Sequence, residues 1–284
     1  MWSVLLFAAV ALAFFWINRP HKLIIDAALP AGFPQQAFSH QSFEELLQIY
    51  VAEGRVDYAR WHQSPESIRQ LDSYLAAVSK YSPERAPERF ASRNDELAYW
   101  IYGYNAYVIK AVLDHWPVES VTDIKAPLEA VKGLGFFYQQ RFSFGGKFMS
   151  LLAVESHEIR DKFRDPRIHF VLNCASESCP VARPDLPVGE ELESLLTEAA
   201  IDFINDPANV SVDHAEKTLY LSTIFKWYKN DFAHELRVQG KQTDNSLQDY
   251  VAQYASGDLA NDLTQAANYE IQFQDYGWAL NSSH

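Results

Sequence analysis

Both cysteines of the chain lie in one short segment, Asp165 to Pro180, with the sequence DPRIHFVLNCASESCP. His169 precedes Cys174 by five residues, and Cys179 follows it at the same distance. A thiolate is a strong nucleophile, but an ordinary cysteine has a pKa of about 8.5 and needs a base nearby. His169 is the candidate base. A cysteine and histidine pair of this kind catalyses acyl transfer, which includes amide and ester hydrolysis.

A third side chain must orient the histidine ring, and Glu155 and Asn105 are the two candidates. Asn105 lies in the middle of an apolar helical pattern, where a buried amide must find hydrogen-bond partners. It serves either a neighbouring loop or a catalytic group. Cys179 is a second candidate nucleophile, because Pro180 fits the first residue of a helical turn and a helix N-terminus favours a thiolate. The substrate would be peptide-like or a small molecule with an amide bond.

The same residues permit two other interpretations. A disulfide between Cys174 and Cys179 would pin the loop and would fit an oxidising compartment. Zinc would require His169, both cysteines and a further ligand such as Glu155, but the spacing matches no zinc motif. We therefore assign no metal and no cofactor, and we keep a non-catalytic binding or assembly domain as the alternative to a thiol enzyme.

Two elements are expected to position the candidate site. Ile168, Phe170 and Leu172 alternate with polar neighbours, which predicts a strand that carries His169 and Asn173 on one face. Asp95 to Trp116 shows apolar residues at helical spacing nearly all round, and Pro117 follows. This pattern predicts a buried central helix that contains Asn105.

Further elements surround these two. The segments 136–144 and 147–149 read as a hairpin turned at Gly145-Gly146, and Ser150 is expected to cap a helix that carries Glu155. The predicted helices and strands do not alternate as regular βαβ units. The predicted fold class is therefore α+β, with a central buried helix and a small, mostly antiparallel sheet. Papain-like and transglutaminase-like folds offer an analogy. Four aromatic residues at helical spacing are assigned to the core rather than to a sugar platform: Phe225, Trp227, Tyr228 and Phe232.

The formal net charge is −13 and the pI is near 5.1, which argues against a nucleic-acid partner, because phosphate binding needs clustered Lys and Arg. Trp2 to Ile17 is almost wholly apolar and has no preceding Lys or Arg, which favours an uncleaved membrane anchor over a cleaved signal. We divide the chain into an anchor or signal segment (1–22), a linker (23–37) and one globular domain (38–284). Arg19 and Lys22 by themselves would keep that domain in the cytoplasm.

Six motifs follow one another along the chain: FSHQSFEELLQIYVAEGRVDY, AYWIYGYNAYVIKAVL, GGKFMSLLAVESHEIR, DPRIHFVLNCASESCP, LSTIFKWYKNDF and YGWALN. In this order they resemble the bacterial "domain of unknown function 547" family. The resemblance implies a secreted or envelope-attached protein on the periplasmic side, and it outweighs the two charges. By position it carries over Asn105, Glu155, His169, Cys174 and Cys179, but it supplies no reaction. Family members often have a histidine directly after the glutamate, whereas this chain has Ser156 and then His157.

Overall fold

The structure, a computed structural model, describes residues 20–125, 133, 135–241 and 243–283. The apolar segment that we predict to be a membrane anchor, Trp2 to Ile17, lies outside the described residues. Within the described residues, no helix is long and apolar enough to span a membrane.

One helix, Arg93–Asp114 (α4), runs through the core, as its periodicity predicts. It begins after Ser92, whose side chain accepts a hydrogen bond from the backbone N–H of Asp95. Nearly every residue from Leu97 onward is buried, which is typical of a helix that is surrounded by other elements. This central helix therefore gives the neighbouring loops a rigid base.

Other helices pack around the central helix. The helical segment that carries Glu155 changes character along its length: it begins as α5 (Leu151–Ala153), widens into a π-helix over Val154–Arg160 and ends as α6 (Asp161–Phe163). The remaining α-helices are α1 (Gln41–Tyr50), α2 (Tyr58–His62), α3 (Pro65–Lys80), α7 (Glu191–Asn205), α8 (Thr223–Trp227), α9 (Lys229–Val238), α10 (Ser246–Val251) and α11 (Gly257–Gln265).

The strands are short and form small separate sheets. The predicted hairpin is present, with Gly145 and Gly146 both at positive φ in its turn. Its first strand is shorter than predicted, Gln140–Phe144, and Gly135–Gln139 forms a π-helical turn instead. Antiparallel pairs join β2 to β3, β4 to β5 and β6 to β7, whereas β1 and β8 pair in parallel with β4 and β7. The α+β fold class is confirmed. The strands are β1 (His21–Lys22), β2 (Val51–Ala52), β3 (Arg55–Val56), β4 (Gln140–Phe144), β5 (Lys147–Met149), β6 (Val210–Asp213), β7 (Thr218–Leu221) and β8 (Glu270–Phe273).

The predicted strand over Ile168 to Asn173 is wrong. Pro166–Phe170 forms a 3₁₀-helix, and the side chain of Asp165 caps it by accepting a hydrogen bond from the backbone N–H of Arg167. Pro166 has the fixed φ that suits the first position of a helix. The cap gives the backbone N–H of Arg167 a partner within the turn, so this group needs no neighbouring strand. Six alternating residues were too short a pattern to overrule these two start signals.

The segment predicted as a linker, 23–37, lies against the domain. Leu23 and Ile25 pack on the core. The guanidinium of Arg89 donates hydrogen bonds to the backbone carbonyls of Pro34 and Ala37, at 2.8 and 3.0 Å. These contacts fix the path of the chain into the domain.

Candidate functional site

A cleft of about 320 Å³ contains four of the five residues that the sequence selects: Glu155, His169, Cys174 and Cys179. Its volume falls within the range of roughly 300 to 1,000 Å³ that small-molecule sites occupy. Leu152 and Trp227 are about half exposed and mark its mouth, at 44% and 48% of their surface. We call it the aromatic cleft. Its other lining residues are Tyr104, Phe137, Leu172, Pro180, Ile224, Tyr228, Tyr276 and Trp278.

One wall of the cleft is the disulfide loop, which we define as residues 171–180. Cys174 and Cys179 are joined by a disulfide. The hydroxyl of Tyr276 lies 3.1 Å from each sulfur and 3.0 Å from Oγ of Ser176. In this bridged state neither sulfur is a thiolate, so neither cysteine can act as a nucleophile or as a zinc ligand.

His169 is buried and is held by Asp231, which the sequence analysis did not select. Its Nε2–H donates to Oδ2 of Asp231 at 2.8 Å, and its ring stacks on Tyr228 with 3.6 Å between centroids. Arg160 binds the same carboxylate in a bidentate manner, at 2.7 and 3.0 Å. Neither Glu155 nor Asn105 therefore orients this histidine, and its described hydrogen bonds reach no sulfur.

The electrostatics of this group follow from burial and charge. Burial lowers the pKa of His169 below its ordinary value, more than the hydrogen bond to Asp231 raises it, so the imidazole is neutral at pH 7. Burial pushes the pKa of Asp231 upward, but its hydrogen bonds with His169 and Arg160 outweigh this effect and hold the pKa below the usual range. The hydrogen bonds with Asp231 raise the pKa of Arg160, and the charge of Glu155 adds a smaller increase.

Glu155 lies in the π-helical turn, where the backbone N–H of Asp161 donates to the carbonyl of Ser156, five residues earlier. The residue as a whole is 8% exposed. Oε1 is fully buried and has no hydrogen-bond partner among the described residues. Buried polar atoms are almost always paired, so an unpaired carboxylate oxygen in a cleft needs an explanation.

Three tyrosines that line the cleft feel the charge of Glu155. Burial raises the pKa of Tyr104 and of Tyr228 well above the ordinary value. The charge of the Glu155 carboxylate raises both further, and in Tyr228 a hydrogen bond with Glu155 adds to it. Burial also raises the pKa of Tyr276 to about 12, where a hydrogen bond with Ser176 opposes it and Glu155 adds to it. All three hydroxyls are therefore neutral donors at pH 7.

Asn105 does not line the aromatic cleft. Its Nδ2 donates to the carbonyl of Val171 at 2.9 Å, and its Oδ1 accepts from the backbone N–H of Asn173 at 2.9 Å. Asn173 continues this network by donating to the carbonyl of Pro180 and accepting from Asn281, at 2.7 and 3.1 Å. We call Asn105, Asn173 and Asn281 the amide network. Of the two roles considered for Asn105, the contacts correspond to the one in which it holds a neighbouring loop.

Sequence reasoning missed part of the cleft. The aromatic run was assigned to the core, which is correct for Phe225 and Phe232, whereas Trp227 and Tyr228 line the cleft. Tyr276 lies in a C-terminal segment far from the cysteines in the sequence, and no local sequence pattern predicts that it contacts them. His157, which follows Ser156, is exposed and lies outside the cleft, with its Nδ1 3.0 Å from Oδ2 of Asp161.

A comparison with known families finds one described as "Protein of unknown function, DUF547", which matches residues 88–204. Searches of curated proteins and of solved structures found no match. The matched segment contains the three central motifs and all five residues that the resemblance carried over, from Asn105 to Cys179. Trp227, Asp231 and Tyr276 lie beyond it. Residues 88–204 of this chain therefore belong to the DUF547 family, as its motifs indicate.

Proposed function

We propose that this chain is a binding domain whose aromatic cleft holds an organic ligand, with the disulfide loop as one wall. One observation carries the proposal: the bridged cysteines line a cleft of ligand size in which apolar and aromatic side chains surround a few polar groups. Small-molecule sites have this composition. The bridge ties the loop covalently, so the wall is formed before a ligand arrives.

The amide network supports a preformed wall from the other side of the loop. Asn173 Oδ1 accepts from the backbone N–H of Ala175, a residue held at a φ of 63°. This left-handed conformation is costly for a residue with a Cβ, and it persists where the surroundings enforce it. A rigid wall lowers the entropy lost on binding.

A screen of small organic fragments tests this proposal. The library should contain neutral, anionic and cationic members, with binding to the full chain detected by ligand-observed NMR. Leu152→Trp fills the mouth of the cleft, and Val238→Trp adds the same ring at an exposed position outside it. We expect fragments that bind the wild type and Val238→Trp but not Leu152→Trp. Hits that are indifferent to Leu152→Trp, or no hits at all, would overturn the proposal.

A second candidate function applies to the reduced state, because both sulfurs and His169 line the same cleft. With the bridge reduced, a thiolate of Cys174 or Cys179 would attack an amide or ester carbonyl, as a thiol hydrolase or acyl transferase does. Iodoacetamide labelling after reduction, from pH 5 to 9, tests it. Fast labelling below the usual thiol pKa that slows in His169→Ala supports an enzyme, whereas labelling at an ordinary pKa excludes it.

We also propose that the domain faces an oxidising envelope compartment, anchored through its N-terminal segment. The disulfide supports this location, because such bonds persist in oxidising compartments and are rare in the cytosol. Fusion of the full chain to alkaline phosphatase, an enzyme that needs its own disulfides, tests the location in a bacterium. An inactive fusion would place the domain in the cytoplasm.

A further inference from the structure

The unpaired oxygen of Glu155 indicates what kind of ligand the aromatic cleft accepts. The residue is more than nine-tenths buried, and Oε1 has no partner among the described residues. A carboxylate oxygen in the wall of a cleft is satisfied by a hydrogen-bond donor, and a charged donor satisfies it best.

The charges around Glu155 favour a cation over a neutral donor. Among the described residues that line the cleft, Glu155 is the only acidic side chain, and none is a lysine or arginine. Arg160 is nearby, but Asp231 binds it in a bidentate manner. His169 is neutral because burial lowers its pKa. Arg160 and Asp231 form an ion pair, and neither lines the cleft, so Glu155 is the one charged carboxylate or basic group among the described lining residues.

Aromatic rings complete the environment of a cation. Trp227, Tyr276 and Trp278 contact one another at the outer part of the cleft. Tyr276 lies 4.7 Å from each indole, and the two indoles lie 6.0 Å apart, measured between ring centroids. The faces of aromatic rings attract organic cations, and rings grouped around a pocket bind ammonium groups in other proteins. These rings also offer apolar surface to an alkyl chain.

We propose that the aromatic cleft binds a protonated alkylamine, whose ammonium group donates to the carboxylate of Glu155 while its carbon chain packs against Trp227 and Trp278. This inference rests on the proposed binding function and names the ligand class of the same cleft. A free amine and the side chain of a lysine in a peptide share this chemistry. The cleft volume of about 320 Å³ accommodates either.

The test uses three probes of the same length and different charge: pentylammonium, pentanol and pentanoate. Their binding to the full chain is measured by ligand-observed NMR titration at pH 7. We expect pentylammonium to bind at least tenfold more tightly than pentanol, and pentanoate to bind most weakly. Nα-acetyl-lysine methylamide distinguishes the sources: affinity equal to or above that of pentylammonium points to a lysine side chain, and weaker affinity points to a free amine.

Two substitutions connect the result to the cleft. Glu155→Gln should weaken pentylammonium binding about tenfold and leave pentanol unchanged. The matched control is Glu158→Gln, in the same π-helical segment, where the carboxylate already pairs with Lys162 and does not line the cleft. Trp227→Leu keeps an apolar side chain at an exposed position but removes the ring, and should weaken pentylammonium more than pentanol.

The outcomes separate the two proposals. If pentanol or pentanoate binds in a manner that Leu152→Trp abolishes, and pentylammonium binds no better, the amine inference is overturned and the binding function stands. If no probe or fragment binds, both are overturned. Pentylammonium binding that is equal in wild type and Glu155→Gln also overturns the inference.

Discussion

The two sides of the disulfide loop, residues 171–180, differ in whether their buried polar groups have hydrogen-bond partners. On one side, the amide network pairs Asn105, Asn173 and Asn281 with backbone groups and with each other. On the other side, Glu155 presents a buried oxygen that has no partner among the described residues. Both sides hold polar atoms away from water, which is costly without partners. The paired side fixes the fold, and the unpaired side marks the place for a ligand.

The largest effect should follow from breaking the paired side. Asn173→Ala removes hydrogen bonds to the carbonyl of Pro180, the N–H of Ala175 and the amide of Asn281. Because each lost bond leaves a buried group unsatisfied, we expect the free energy of unfolding in urea to fall by about 3 kcal/mol or more. The control is Asn245→Ala, an exposed asparagine, with a change of about 1 kcal/mol or less. Equal losses in the two variants would contradict the assignment of Asn173 to the fold.

The next effect concerns the bridge, which belongs to both sides of the loop. Cys174→Ser combined with Cys179→Ser opens a closure that spans a sequence separation of 5. For a loop this short, the entropy of the unfolded chain predicts a loss of about 2 kcal/mol. Thermal unfolding with and without reductant measures it. If reductant destabilises the double variant as much as the wild type, the effect of reductant on stability does not come from the disulfide.

The third prediction concerns pH and the paired histidine of the cleft. The folded pKa of His169 lies below its unfolded value of 6.5, so the unfolded chain binds more protons as the pH falls below about 6.5. Stability then decreases with acidification, by at most about 1.4 kcal/mol per pH unit from this residue.

His169→Gln should remove that part of the slope between pH 6.5 and 5, and the exposed His62→Gln should not. Asp231 does not interfere, because its folded pKa is lowered and its contribution is lost only at more acidic pH. Urea unfolding at several pH values measures the slopes. Parallel slopes for wild type and His169→Gln would contradict the burial of a neutral ring.

The smallest effect should have the opposite sign. Glu155→Gln removes a buried carboxylate of which one oxygen has no hydrogen-bond partner among the described residues, so without ligand we expect the free energy of unfolding to rise by about 1 kcal/mol. Glu158→Gln breaks a pair with the half-exposed Lys162 and should lower it by about 0.5 kcal/mol. Calorimetry of the two variants and the wild type measures both changes in the free energy of unfolding. A loss in both would mean that Glu155 has a stabilising role in the empty cleft.

The sequence predicts those parts of the molecule in which the signal is local. The repeating apolar residues of the central helix and the turn at Gly145-Gly146 determine their own structure, and both predictions are confirmed. The segment 168–173 failed because two start signals, Asp165 and Pro166, outweighed a short alternation.

The cleft is harder to predict because its parts are far apart in the chain. Asp231 reaches His169 across 62 residues, and Tyr276 reaches Cys174 across 102. Neither contact has a local pattern. That Oε1 of Glu155 has no partner among the described residues depends on the assembled site, so the residues next to Glu155 in the sequence do not predict it.

The segment 276–282 also has a consequence for biosynthesis. Its backbone pairs with the disulfide loop, through Ala279 with Glu177 and through Asn281 with Ala175, and it brings Tyr276 and Trp278 to the cleft. A ribosome makes these residues after all others that line the cleft. Before that point both cysteines have been translated, but Tyr276, whose hydroxyl lies beside both sulfurs, has not. An oxidant therefore reaches the two thiols most readily in the nascent chain, before the last wall of the cleft is in place.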